Sequence, residues 1–354
     1  MRQSSSKEFD MNDPSSTQIE PGGFPCGWFD HLAIGIDVGG TKIAAGVVTE
    51  FGKVLDSIRI ETPANKDTKR TVALLDRMVR SFLEKFPTVC AVGVGCAGLV
   101  EWPSGVIRYA ANNNYRNLQL REELETSTGL STTVENDANA AAWAECVLGS
   151  GKDAADVLML TVGTGIGAGY CFGKKLFRGS TGLGVELGHI VVDPNGRKCA
   201  CGNRGCLETL ASGSALGLAG KKIAMSQPIG TIAELAASPD KVTGETVCEA
   251  ARQGDPSALE LFEDIGKWLG LGVATLVNLF DPEVVVIGGG LIEAESLLLR
   301  PTIVSFERHV YARNYRRLPK IVSAAMGPES GMVGAALLAI ERSSTRSAHM
   351  KRRT

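Results

Sequence analysis

Two stretches of this chain, roughly 120 residues apart, repeat one pattern: a strand, a glycine turn and a second strand. The first, residues 32–48, reads LAIGIDVGGTKIAAGVV; the second, residues 157–172, reads VLMLTVGTGIGAGYCF. A third strand is predicted at 54–62. Beyond it, strands and helices alternate. A helix is predicted over 69–86, where Leu74, Leu75, Met78, Val79, Phe82 and Leu83 recur at helical spacing and Pro87 ends the run. Residues 90–94 read as a short buried strand, 112–114 as a polar loop, 121–128 as a short helix and 132–135 as a strand. An Ala-rich helix is predicted over 138–147, a strand over 284–287, and a helix opening on glycine over 331–340. Hairpins mixed with strand–helix units imply two α/β domains, each with a mixed sheet. The repeated hairpin hints at internal duplication.

The length of 354 residues accommodates two sizeable cores. The expected division is a disordered extension over 1–30, a small α/β domain over 31–136, a large α/β domain over 137–343 and a basic tail over 344–354. The last helix is expected to pack back on the small domain. The first 30 residues are polar and rich in Ser, Pro and Gly, with no apolar core of a signal peptide. No run of about 18 apolar residues is present to span a membrane. A net charge of -2 gives no general attraction to nucleic acid or anionic membrane. Nine cysteines, irregularly spaced, do not form a disulfide framework, so the cytoplasm is the expected compartment.

Chemistry concentrates in VELGHIVVDPNGRKCACGNRGCLE, residues 185–208. His189, Cys199, Cys201 and Cys206 make a Cys3His set, which suits structural zinc. Free thiols or a disulfide are the alternative. Glu186 and Glu208 flank the knot, where a metal would fix their direction. Asp37, Gly39, Gly40, Thr41 and Lys42 form one glycine turn; Gly163, Thr164 and Gly165 open the other. Backbone amides exposed at such turns can cradle phosphate, and Asp37 can hold magnesium through water. The match Gly93-x-Gly95-x-x-Gly98 is rejected as a dinucleotide site, because Trp102-Pro103-Ser104-Gly105 makes a turn where a helix is required. Asp137 stands at a predicted helix start. It reads either as the helix cap or as a base for an attacking hydroxyl.

Together the motifs DVGGTKIAAGVV, ENDANAAAW, TVGTGIGAG, ELGH, CACGNRGCLE and VVVIGGG resemble the ROK family of sugar kinases, within it the bacterial glucokinase branch of actinobacterial type. The resemblance covers most of residues 32–340. It implies a two-domain actin-like ATPase (ribonuclease H-like) fold, with mixed sheets, flanking helices and a cleft between the domains. It implies ATP-dependent phosphorylation of glucose at the 6-hydroxyl, with ATP, Mg2+ and structural Zn2+, in a homodimer or higher homo-oligomer. Asp137 would be the general base. Gly98, Asn112, Asn136, Glu186, His189 and Glu208 would hold the sugar, His189 serving zinc and sugar through its two ring nitrogens. Gly39 to Lys42 and Gly163 to Gly165 would bind phosphate, and Gly288, Gly289 and Gly290 would flank adenosine. The family often reads P-N-x-x-W where this chain has Ala111-Asn112-Asn113-Asn114-Tyr115, so the fine sugar preference is not carried over. A kinase for mannose or an N-acyl hexosamine, or one using polyphosphate, is the alternative. A sugar-sensing repressor of the same family is less favoured, since about 30 polar residues before the first strand are too few for a helix-turn-helix module.

Overall fold

The computed structural model describes residues 31–63, 67–110 and 114–351, so the expectations for 1–30 and for Asn112 lie outside the described residues. The first half of the chain builds β1 (Leu32–Val38), β2 (Lys42–Thr49), β3 (Val54–Glu61), α1 (Thr68–Lys85) and β4 (Val89–Cys96). A small sheet of β5 (Leu99–Glu101), β6 (Val106–Ala110) and β7 (Tyr115–Leu118) follows. Then come α2 (Leu120–Thr128), β8 (Ser131–Asn136) and α3 (Asp137–Val147). The second half builds β9 (Val157–Val162), β10 (Ile166–Phe172), β11 (Lys175–Phe177), α4 (Glu208–Ala211), α5 (Gly213–Ser226), α6 (Thr231–Ala236), α7 (Gly244–Arg252) and α8 (Pro256–Phe280). It ends with β12 (Val284–Gly288), α9 (Glu295–His309), β13 (Lys320–Ser323) and α10 (Ser330–Lys351).

The hint of duplication in the two hairpins extends to the sheets themselves. One sheet runs β3-β2-β1-β4-β8 and the other β11-β10-β9-β12-β13. In each, three strands form an antiparallel meander, and two further strands add in parallel beside the first. The boundary expected at 136/137 falls at the junction of β8 and α3.

The C-terminal helix returns to the first half. Residues 331–340 of α10 are buried along almost their whole length against β1, β4 and α3. The approach is close because β4 presents glycine there: a Cβ at Gly93 would lie 1.8 Å from the Ala335 carbonyl oxygen. The helix continues to Lys351, beyond the predicted end at 340 and through most of the expected tail. That stretch holds no Pro or Gly, and adding residues to an established helix is easy compared with starting one. In the second half, α5, α7, α8 and α9 enclose an extensive apolar core around Leu158, Leu160, Phe262, Leu269 and Ile287. Among the described residues no helix is long and apolar enough to cross a membrane.

Candidate active site

Both glycine hairpins place their turns where the two sheets end. In the β1–β2 turn, the Gly39 amide donates to Lys42 O at 3.0 Å, and Thr62 Oγ1 donates to Gly39 O at 2.9 Å. Gly40, Thr41 and Lys42 remain exposed. In the β9–β10 turn, the Gly163 amide donates to Gly165 O at 3.0 Å. The start of α5 is tied to that turn, with Gly213 N donating to Gly163 O at 2.7 Å and Ser214 N to Thr164 O at 3.2 Å. Gly289, at the end of β12, has φ of 91°, and a Cβ there would lie 2.6 Å from Val162 backbone.

A cavity of about 750 Å³ opens beside Gly163, Thr164 and Gly290, and Gly213, Gly217 and Gly244 form a further part of its wall. Sequence reasoning missed this part of the wall. Its signal was the glycine-rich start of α5. A Cβ at Gly217 would meet Gly244 N at 2.9 Å, so the glycines let α5 approach α7 closely.

The junction of β8 and α3 resolves the ambiguity at Asp137. The cap is Asn136: its backbone is extended, at φ -63° and ψ 143°, and its Oδ1 accepts from Asn139 N at 3.0 Å. Its Nδ2 donates to Gly98 O at 3.1 Å. The reading of Asp137 as the cap is therefore corrected. Asp137 is the first helical residue, and its Oδ1 accepts from the adjacent Ala138 N at 2.9 Å. Desolvation by the surrounding walls raises its pKa, against the pull of the backbone amides. Asp37 lies near it. Burial first, and then the charge of Asp137, push the Asp37 carboxyl up to about 7, opposed by Arg59.

The stretch between β11 and α4 carries the other acidic groups. Glu186 precedes a short 3-10 turn over Leu187–His189. Its carboxyl is raised by desolvation first, lowered by His189, and raised again by Asp137 and Glu208. Those shared influences bring Asp137, Glu186, His189 and Glu208 into one electrostatic neighbourhood. Glu208, the first residue of α4, also reaches the second hairpin. Its Oε2 accepts from Ile166 N at 3.0 Å, and a Cβ at Gly165 would lie 2.3 Å from that oxygen. A carboxylate at the edge of the cysteine knot thus braces the glycine turn, a link with no signal in the spacing.

The four sulfur and nitrogen donors of His189, Cys199, Cys201 and Cys206 lie within 4.8 Å of one another. Cys199 Sγ is 3.6 Å from His189 Nδ1, and Cys201 Sγ is 3.6 Å from Cys206 Sγ. A disulfide needs about 2.05 Å between sulfurs. A tetrahedron with Zn–S bonds of about 2.3 Å has edges of about 3.8 Å, so the set fits zinc.

Residues 33–342 match the family model described as ROK family. The chain belongs to the ROK family. Its glucokinase relative from Streptomyces coelicolor is 40% identical over 316 residues, covering 88% of this chain and 98% of the relative. A crystal structure of a ROK family glucokinase from Streptomyces griseus, in complex with glucose and AMPPNP, superposes with a TM-score of 0.81. It is 40% identical, covering 88% of this chain and 99% of that one. The fold is accordingly the actin-like ATPase fold. The xylose repressor of Bacillus subtilis is also similar, at 28% identity, over 87% of this chain and 77% of the repressor.

Proposed function

We propose that this ROK protein is an ATP-dependent glucokinase, transferring the terminal phosphoryl group of ATP to the 6-hydroxyl of glucose. One observation carries the reading. Asp137, released from capping by Asn136 and raised in pKa, shares its neighbourhood with Asp37 of the first phosphate hairpin and with Glu186. The 40% identity to Streptomyces glucokinases supports glucose as the acceptor, and the AMPPNP complex of the S. griseus relative supports ATP as the donor.

In this reading residues 31–136 and 137–343 are the two lobes. The cavity of about 750 Å³ is of a size that takes a nucleoside, with Gly163 and Thr164 of the second hairpin and Gly290 lining it. Gly39 to Lys42 would face the phosphates from the opposite hairpin. Asp37 would hold Mg2+ through water, and the ion would offset phosphate charge. Asp137 accepts the proton of the attacking hydroxyl. Such a base works best with a pKa near the operating pH, which is the direction in which burial moves it. Gly98, Asn136, Glu186, His189 and Glu208 hold the sugar hydroxyls, with Asn112 a further contact outside the described residues. Asn136 keeps one Nδ2 hydrogen for this, since its Oδ1 and the other hydrogen are engaged. Zn2+ would sit on His189, Cys199, Cys201 and Cys206, fixing the segment that carries both glutamates.

The test is a coupled assay with glucose, mannose, N-acetylglucosamine and N-acetylmannosamine, each with ATP and with polyphosphate. The highest kcat/KM is expected for glucose with ATP. A higher value for another sugar or for polyphosphate would replace the substrate assignment, and no transfer to any sugar would remove the activity.

A further inference from the structure

Arg178 begins the segment that leads from β11 to Glu186, yet its side chain reaches the first half of the molecule. Its Nε lies 2.5 Å from Oε2 of Glu135, the residue two before Asp137. The pair is buried, with side chains 16% and 2% exposed. Glu135 Oε1 turns the other way, accepting from Asn136 N and Asn139 Nδ2, each at 3.1 Å. One carboxylate thus grips the turn that presents Asp137 and the root of the segment that presents Glu186.

The same segment is fastened a second time. The Arg178 guanidinium stacks on the Trp102 ring, 3.9 Å from its centroid, in the β5–β6 hairpin. The Trp102 amide donates to Thr181 O at 2.9 Å. At Gly182, with φ of 90°, a Cβ would lie 2.4 Å from Trp102 N, so the chain lies flush against the hairpin. Gly184 N then closes the loop onto Arg178 O at 3.2 Å. None of these contacts faces the cavity beside Gly163 and Gly290.

We infer that Glu135, Arg178 and Trp102 form a clasp that positions the sugar half of the site, setting Asp137 and Glu186 in register while leaving the nucleotide half unaffected. The clasp rests on the proposed sugar kinase activity for its kinetic consequence, but not for its mechanical one. Arg178 and Trp102 are positioning residues: they act through the 178–186 segment.

Removing one partner of a buried ion pair strands a charge, so Arg178→Ala risks unfolding. Two milder variants avoid this. Arg178→Lys keeps the charge but loses the planar fork and most of the stacking. Trp102→Leu leaves the ion pair intact and removes the ring face, which Trp102→Phe restores. In folded protein, Arg178→Lys and Trp102→Leu should raise KM for glucose about tenfold or more, with KM for ATP within about twofold of wild type. Trp102→Phe should recover most of the loss. Amide hydrogen exchange over 178–186 should speed up in both impaired variants, a readout that needs no turnover. Unchanged exchange over 178–186 would overturn the clasp. So would a KM for glucose within about twofold of wild type, or equal rises in both KM values. If the wild type transfers phosphate to no sugar, the activity assignment fails, and the exchange data alone decide the clasp.

Discussion

Asn136 and Asp137 divide work that the sequence leaves to either. Asn136 takes the cap, which leaves the Asp137 carboxylate without that duty. Asp137→Asn should therefore fold and melt no lower than the wild type at neutral pH, since the raised pKa of Asp137 makes its ionisation costly, while kcat falls by about 10² to 10⁴. Steady-state kinetics beside a thermal melt checks both halves, and a fall of less than about threefold would remove Asp137 from the role of base. Asn136→Ala should do the reverse in stability, costing about 1 kcal/mol through loss of the cap. Asp37 gives a pH prediction. Its folded pKa, about 7, stands above its ordinary value of 3.8. Between those values the folded state binds more protons than the unfolded, so this group takes stability away as pH rises from about 4 to about 7. Melted without Mg2+ or nucleotide, Asp37→Asn should match the wild type near pH 4 and exceed it above pH 7. Equal melting temperatures across that range would show that Asp37 ionises without cost.

Among the elements, the 185–208 segment has the least regular structure for its task. It holds one 3-10 turn and two isolated bridges, Val191 to Cys206 and Lys198 to Arg204. Backbone hydrogen bonds such as Val192 N to Gly205 O and Leu207 N to Ile190 O join its two arms, and a metal on His189, Cys199, Cys201 and Cys206 would add a further constraint on Glu186 and Glu208. Cys201 is the exposed member of the set, so its replacement disturbs packing least. Cys201→Ala should lower zinc from one per chain and raise KM for glucose by about 10- to 100-fold, the usual cost of loosening ordered metal-site partners. Metal analysis of the wild type that finds no zinc would end the metal reading.

Helix α8 shows an element that the pattern alone obscured. Gly266, Gly270 and Gly272 look like helix-weakening residues in sequence. In the structure, a Cβ at Gly270 would lie 2.4 Å from Thr302 O, so glycine is what allows α8 to approach α9 so closely. By contrast α1, predicted at 69–86 and found at Thr68–Lys85, was legible because its apolar stripe has one period and Pro87 stops it.

At the scale of the molecule, the decisive contact is the return of the C-terminal helix onto the first sheet. Leu337, Leu338 and Ile340 show in sequence that α10 has something to bury, but not against what. The surface it meets is made by glycines of strands near the other end of the chain. Gly93→Ala should destabilise the protein by about 1–3 kcal/mol or more, since its Cβ would lie 1.8 Å from the backbone oxygen of Ala335 and backbone cannot give way cheaply. A thermal melt unchanged by that substitution would mean the helix shifts freely on the sheet.

The sequence by itself determined what depends on neighbours along the chain: the two glycine hairpins, the helix with a clean apolar period, the Cys3His spacing and the acidic residue at a helix start. Those features rest on local backbone geometry and ligand chemistry, which spacing encodes. The tertiary structure decided which residue caps α3 and that Glu208 braces the Gly165 turn. It also decided that Glu135 grips Arg178 forty-three residues away, and that glycines in β4 and α8 serve close packing. Each of these but the cap, which Asn136 makes with Asn139 three residues on, is a contact between segments far apart in sequence. Its geometry exists only once two sheets of the same topology have formed, and no periodicity within either segment records it.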